Sequence, residues 1–198
     1  MKGGHGHKKL FTKIRFLLLW LLATSGRECL AQHDSTHYNY VGGAYFSEGG
    51  FYPGFTVIAE RSLLRNRNFE VMVAGRLGAY FHYRNQTGVF LMAQSGQRIR
   101  LYRQLYFEHY LGIGYLHTFL NGGDPYYVDA SGTIHKNSNA GTPHFMPSVS
   151  FGLGFNSRIA QHKYRFFARP IIFWMIPFNQ TSLVEFGVEL GGVIQLGK

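Results

Sequence analysis

The sequence has one cysteine, Cys29, and it lies among the first 31 residues. Beyond that point there is no thiol, which excludes disulfides, thiolate-bound metal and cysteine nucleophiles. No run of about 20 apolar residues exists, so no helix of the usual kind is predicted to cross a membrane. Proline is scarce at 6 residues, and tryptophan at 2. Several signatures of chemistry are missing too: there is no His-Glu-x-x-His and no Gly-x-x-x-x-Gly-Lys phosphate loop. No cofactor is predicted.

The basic balance is smaller than it looks. The chain carries 20 Lys and Arg against 10 Asp and Glu, a net charge of +10. Lys2, Lys8, Lys9, Lys13, Arg15 and Arg27 supply six of those cations, and residues 32–198 keep 14 basic and 9 acidic residues. The remaining cations are dispersed among apolar stretches, which argues against a nucleic-acid partner.

The first 31 residues read as a secretory signal. A basic start is followed by Phe16-Leu17-Leu18-Leu19-Trp20-Leu21-Leu22-Ala23, too short to span a bilayer and right for the apolar core of a leader. Small residues at Cys29 and Ala31 place cleavage after Ala31, with Ser25 as the alternative; an uncleaved anchor is the other reading of this segment. Residues 32–198 then form one domain.

That domain is rich in what strands use. Aromatic residues make up 17% of the chain, with 18 Phe and 13 Tyr, and there are 25 Gly. The stretch from Leu105 to Thr118 shows the pattern best. Leu105, Phe107, His109, Leu111, Ile113 and Tyr115 alternate with Tyr106, Glu108, Tyr110, Gly112 and Gly114. A period of two describes a strand with one apolar and one polar or small face. Soluble strands usually run roughly 5–6 residues, whereas a tilted strand needs about 9–11 to cross a bilayer. Val71, Val73, Leu77 and Phe81 alternate in the same way with Glu70, Arg76, Gly78 and Tyr80. So do Val184, Phe186, Val188, Leu190, Ile194 and Leu196 with Glu185, Gly187, Glu189, Gly191 and Gln195.

Eight strands are predicted, over 38–46, 51–61, 69–83, 87–102, 105–118, 144–157, 163–176 and 182–196. The turn between the fourth and fifth is placed at Arg103-Gln104; a turn at Ser95-Gly96 would leave one strand too short to span. The first two strands alternate weakly. Most connections are short, and the one over 119–143 is long and rich in Asn, Gly, Asp and Ser. Short turns on one side and long loops on the other are the habit of outer-membrane barrels. The fold class is therefore all-β: an eight-stranded antiparallel up-and-down transmembrane β-barrel, its long loop facing out of the cell.

Carrying the polar phase through each strand gives an inward set of charges. The acids are Glu60, Glu70, Glu108, Glu185 and Glu189; the bases are Arg76, Arg98, Arg100, Arg165 and Arg169. An eight-stranded barrel is just wide enough inside to be filled by side chains, and buried charges are tolerable when paired. The expected role of these residues is structural, a set of salt bridges that fills the bore; a gated polar path or a buried acid–base site is the alternative. Tyr83, Tyr115 and Trp174 are expected in aromatic girdles near strand ends. His109 and His117 fall in the outward phase, where an interfacial polar group is expected rather than a catalytic residue or metal ligand.

Three short matches need weighing. The segment His135-Lys136-Asn137-Ser138-Asn139 is similar to the His-x-Ser-Asn motif of outer-membrane lipid A deacylases, but an extra residue separates His135 from Ser138. In a strand that would put the two side chains on opposite faces. Asn85-Gln86-Thr87 and Asn179-Gln180-Thr181 match the N-glycosylation pattern and are read as chance. Asp34-Ser35-Thr36 resembles the O-glycosylation triplet of Bacteroidetes secreted proteins.

Residues 112–119, Gly-Ile-Gly-Tyr-Leu-His-Thr-Phe, and 143–154, Pro-His-Phe-Met-Pro-Ser-Val-Ser-Phe-Gly-Leu-Gly, resemble a group of small Bacteroidetes outer-membrane β-barrel proteins of eight strands, with OmpA/OmpX-like architecture. The resemblance covers about residues 87–196. It implies fold and location and carries no catalytic residue over. Many such barrels end on an aromatic residue that the assembly machinery reads; this chain ends Gln195-Leu196-Gly197-Lys198. The expected partners are outer-membrane lipid, lipopolysaccharide and the barrel-assembly machinery. The expected role is structural or in surface interaction, through 119–143. A lipid-modifying enzyme or a small-solute channel is the alternative.

Overall fold

The structure is a computed structural model; it describes residues 38–121, 126–136, 140–159, 162–178 and 181–196. The leader, Asp34-Ser35-Thr36, Ser138, Asn179 and Gln180, and the last two residues lie outside the described residues. Among the described residues there are eleven strands. They are β1 (Asn39–Glu48), β2 (Tyr52–Arg65), β3 (Phe69–Phe81), β4 (Gln86–Tyr102), β5 (Leu105–Leu120), β6 (Tyr126–Val128), β7 (Ile134–Lys136), β8 (Thr142–Phe145), β9 (Ser148–Ile159), β10 (His162–Phe178) and β11 (Thr181–Leu196).

All but β6 and β7 belong to one antiparallel sheet that closes on itself, since β11 pairs with both β10 and β1. Closure leaves no unpaired sheet edge. β8 and β9 are two lengths of one stave. Both pair with β5 and β10 in a single register, Tyr115 facing Phe145 and Gly112 facing Ser148. The interruption falls at Pro147, which has no N–H to donate. Met146 nevertheless donates to the Gly114 carbonyl at 2.8 Å, and the Pro147 carbonyl accepts from Trp174 at 3.0 Å. The ring therefore has eight staves.

One end, here the turn end, carries Asn39, Leu196 and the connections at 66–68 and 103–104. The other, the loop end, carries the turn at 49–51, the connection 82–85 and the segment between β5 and β8. The turn at Arg103-Gln104 is as the sequence predicts, Tyr102 pairing with Leu105 across it. Arg103 adopts φ 46°, a left-handed conformation uncommon outside glycine, asparagine and aspartate. The first two strands, weak in the sequence, are full staves of 10 and 14 residues. The segment 119–143 is not all loop: it contains the hairpin β6–β7, Val128 opposite Ile134, and β8.

Inside the barrel, several aromatic rings lie flat over a glycine on the next stave. Tyr80 pairs with Gly88 and Phe90 with Gly78; Tyr110 pairs with Gly96 and Tyr106 with Gly154. In each case a Cβ on the glycine would overlap the ring. Glycine is required here by close approach, and the ring recovers the apolar contact that the glycine lacks.

Candidate functional site

The inward phase of each stave places its side chains at successive heights along the bore. Toward the loop end, inward residues of β1, β3, β4, β5, β10 and the β8–β9 stave meet as one apolar layer: Phe46, Tyr80, Phe90, Met92, Leu116, Met146, Ile171, Phe173 and Met175, all essentially without solvent exposure. Sequence reading assigned phenylalanine to the outer wall and did not anticipate this layer. Phe46 stacks at a tilt on Phe90, ring centroids 5.2 Å apart.

Below the apolar layer lie eight of the ten charges expected inside. Arg98 is the hub. Its Nη2 donates to Glu108 Oε2 at 2.8 Å and to Glu60 Oε2 at 3.2 Å, and its Nη1 to Glu70 Oε2 at 3.3 Å. Arg169 donates through Nε to Glu108 Oε1 at 3.0 Å, through Nη2 to the same oxygen, and through Nη1 to Glu189 Oε2 at 3.3 Å. Arg76 Nη1 donates to Glu189 Oε2 at 2.6 Å. Arg165 Nη2 donates to Glu70 Oε2 at 2.8 Å and its Nε to Asn156 at 3.2 Å. Four carboxylates and four guanidinium groups thus neutralise one another, all of them buried. Arg76 is the least satisfied member, its Nε and Nη2 without partners among the described residues.

Tyrosines wall this network, and they were not counted among the site residues in the sequence. The Tyr110 hydroxyl donates to Glu60 Oε1 at 3.3 Å, and the Arg169 guanidinium stands 4.7 Å from the Tyr110 ring centre. Arg98 stands over Tyr106 at 4.8 Å. Flat guanidinium groups suit both tasks, forking onto carboxylates and stacking on rings. Tyr106 and Tyr110 already fell in the inward phase of β5; their role as cation platforms needs the neighbouring staves.

The other two expected charges sit elsewhere. Arg100 is exposed at the turn end, one inward position beyond Arg98, where the bore has opened. Glu185 is only half-buried, at the loop end, in a wide mouth of about 930 Å³ shared with Glu48, His82, Thr118 and His144. There Glu48 lies 3.6 Å from His82, which stacks on Tyr52. His144 is held by Thr118 at 3.0 Å and by the Pro177 carbonyl at 2.6 Å. At the turn end a second, smaller cavity of about 270 Å³ opens below the ion network. Among the described residues no group of three or more His, Cys, Asp or Glu converges to hold a metal ion.

On the outer wall, His117 is bound on both ring nitrogens, by the Tyr115 hydroxyl at 2.7 Å and the Ala140 carbonyl at 2.9 Å. His109 lies beside Phe107 on the same face. His135 belongs to β7 and contacts Asp129 at 2.8 Å. Asp129 also accepts from the Ser131 hydroxyl at 2.6 Å and the Thr133 amide at 2.9 Å. These hydrogen bonds, the Ser131 hydroxyl first and His135 next, hold its carboxyl down to about 2. Of the expected girdle residues, Tyr83 is the most exposed, at the loop end; Trp174 is half-buried and Tyr115 half-exposed.

No protein-family model matches the sequence, and no curated protein matches it. Among solved structures it is similar to Neisserial surface protein A, at 10% identity over 81% of this chain and 96% of that one, with a TM-score of 0.48. It is similar to the attachment invasion locus protein Ail of Yersinia pestis, at 13% identity over 81% and 97%, with a TM-score of 0.47. It is also similar to the outer-membrane enzyme PagL, at 12% identity over 79% and 97%, with a TM-score of 0.42.

Proposed function

We propose that this chain is an integral outer-membrane β-barrel of a Gram-negative cell, exported by a leader that is cleaved near Ala31. Its bore is filled by side chains, and it acts structurally or through its exposed loop-end surface rather than as a pore. One observation carries this reading: the sorting of side chains is inverted relative to a soluble protein. Leu91 and Leu111 are 60% and 57% exposed on the outer wall, whereas Glu108 and Arg169 are 0% exposed inside. An outer wall of that kind is soluble only in lipid, and a closed ring satisfies every ladder hydrogen bond that lipid cannot. Staves of 10–17 residues meet the length a bilayer requires. The apolar layer and the ion network, stacked one on the other, support a filled bore.

Two measurements test it. Single-cysteine labels at positions 107, 108, 111 and 112 in lipid vesicles should react with lipid-soluble probes at 107 and 111 and be spared at 108 and 112. The reverse pattern would overturn the sorting. In planar bilayers, conductance should be absent or very small; a stable, large, ohmic conductance would establish the channel alternative. The lipid-modifying alternative needs a Ser/His pair on the outer wall. On the outer wall the hydroxyl that meets His117 is the Tyr115 phenol, not a serine.

A further inference from the structure

The cavity at the turn end has an unusual wall. Among the described residues, seven arginines and one lysine line it against a single carboxylate, Glu70. Glu70 belongs to the ion network, where Arg98 and Arg165 share its Oε2. The six rim cations, Arg65, Arg67, Arg100, Arg103, Arg158 and Lys163, outnumber it, and among the described residues the wall holds no other carboxylate. Two of them, Arg65 and Lys163, are drawn over the ring of Tyr38, at 4.9 and 5.4 Å from its centre. Like charges converging on one concave space repel unless an anion joins them, and a cleft with low-dielectric walls focuses that field.

Buried groups in the same wall point the same way. Tyr40 is 2% exposed, lines the cavity, and its hydroxyl has no partner among the described residues. The Arg165 guanidinium lies 3.9 Å from the Tyr40 ring centre. Among the described residues its Nη1 meets the Met72 sulfur alone, at 3.9 Å. Unsatisfied buried donors are rare because each one carries its full desolvation cost. Glu70 Oε1 is buried too; the Ser62 hydroxyl is the neighbour of this carboxylate, and an ionised carboxylate oxygen keeps acceptor capacity beside one such contact. Among the described residues the wall therefore offers many charged donors and one charged acceptor.

We propose that this cavity binds a phosphate group that keeps a titratable oxygen, either inorganic phosphate or a phosphomonoester. The rim arginines fork onto its unprotonated oxygens, the Tyr40 hydroxyl and Arg165 Nη1 donate from the wall, and its P–OH donates to Glu70 Oε1. Arginine is the side chain suited to bidentate contact with phosphate. The single carboxylate sets the selectivity: a fully ionised tetrahedral anion such as sulfate has no proton to give it. The ligand arrives from solution on the turn side or as the headgroup of a lipid phosphomonoester, and the chemistry at the wall is the same.

The test uses the full protein purified in a nonionic detergent. Inorganic phosphate and sulfate are titrated by calorimetry at pH 7. Phosphate should bind saturably at one site per chain. Sulfate should bind about tenfold more weakly, the loss of one charge-assisted hydrogen bond. Arg100→Ala with Arg103→Ala, both at the exposed rim, should weaken phosphate by about tenfold or more. Tyr40→Phe should weaken it less, and Tyr83→Phe, at the other end, not at all. A second arm places the protein in phosphatidylcholine nanodiscs with or without phosphatidic acid, and native mass spectrometry counts retained lipid. Retention of phosphatidic acid that phosphate displaces and the arginine substitutions abolish identifies the lipid source. Absence of saturable binding in both arms overturns the site. Binding indifferent to the rim and Tyr40 substitutions also overturns it, and equal affinity for phosphate and sulfate overturns the role of Glu70.

Discussion

Two layers of one bore can be set side by side. Toward the loop end, Phe46, Phe90, Met92, Phe173 and Met175 meet with no charge among them. Toward the turn end, Glu60, Glu70, Glu108 and Glu189 meet Arg76, Arg98, Arg165 and Arg169. The apolar layer packs by shape, and shape is forgiving when volume is conserved. The ionic layer packs by partner, and its reach is longer. Arg165 on β10 and Glu70 on β3 stand four staves apart in a ring of eight, yet their side chains meet. The network ties the run of ladders from β2 to β5 to the β10–β11 ladder across the bore. The layers also depend on each other. The apolar layer keeps loop-end water from the charges, and lower polarity strengthens each pair while raising the penalty for breaking one.

The contrast is tested most severely by removing one partner from the ionic layer. Arg169→Met leaves Glu108 short of two donated bonds and Glu189 short of one. Breaking a buried pair on one side costs about 3–5 kcal/mol. Urea unfolding in lipid vesicles should show a loss of that order, and a loss below about 1 kcal/mol would mean that water reaches the network freely. The outer wall supplies a calibration. Leu111 is mid-stave and faces outward, so Leu111→Arg should lower stability by about 2–4 kcal/mol, as charges at a bilayer midplane do. In the apolar layer, Met175→Leu conserves volume and should lose under about 1.5 kcal/mol in the same assay. Should it prove as damaging as Arg169→Met, the two layers would not differ in kind. The smallest effect belongs to neither layer. Asp129 fixes the turn of the β6–β7 hairpin, and its carboxyl titrates at about 2 in the fold, below an unfolded value of about 3.9. Its contribution is present above that unfolded value and is lost as pH falls through about 2. The amide resonances of Ser131 and Thr133 should shift in that window while barrel resonances stay fixed, and Asp129→Asn should weaken both hydrogen bonds at neutral pH.

How far the sequence leads depends on what alternation can encode. Where one face is apolar and the other polar or small, as in β3, β5 and β11, the period of two reads directly and assigns Glu70, Glu108 and Glu189 inward. Where both faces are apolar, the signal fades. Phe166 and Phe167, or Ile171, Ile172 and Phe173, look alike in sequence, though successive side chains point to opposite sides of the wall. The apolar layer was invisible for this reason, and β1, which contributes Phe46 to it, alternates weakly. Alternation also carries no height. Glu185 and Glu189 share a phase on β11 and are about 13 Å apart along it, so one enters the network and the other stops at the loop-end mouth. Arg100 follows the same logic one step past Arg98. Height is fixed by the stagger between staves, which depends on all the pairings at once. At the Arg103-Gln104 turn the residue type does not advertise the left-handed conformation of Arg103; strand length, not turn chemistry, places that turn in the sequence.

The rings lying over glycines have a consequence for how the barrel avoids mistakes. A slip of one residue between two staves turns every side chain to the wrong side, and lipid itself rejects it. A slip of two passes that check, because inside stays inside and outside stays outside. Such an error would bring Tyr80 opposite Phe90 in place of Gly88, two rings in the space of one, and would leave Gly78 facing Met92 with a void beside it. A slip of two between β4 and β5 likewise sets Tyr110 opposite Gln94 or Arg98 in place of Gly96. Each pair acts as a parity check on the register that polarity alone cannot read, distributed over β3, β4 and β5, where a mismatch at any one seam propagates around a closed ring and prevents it from closing.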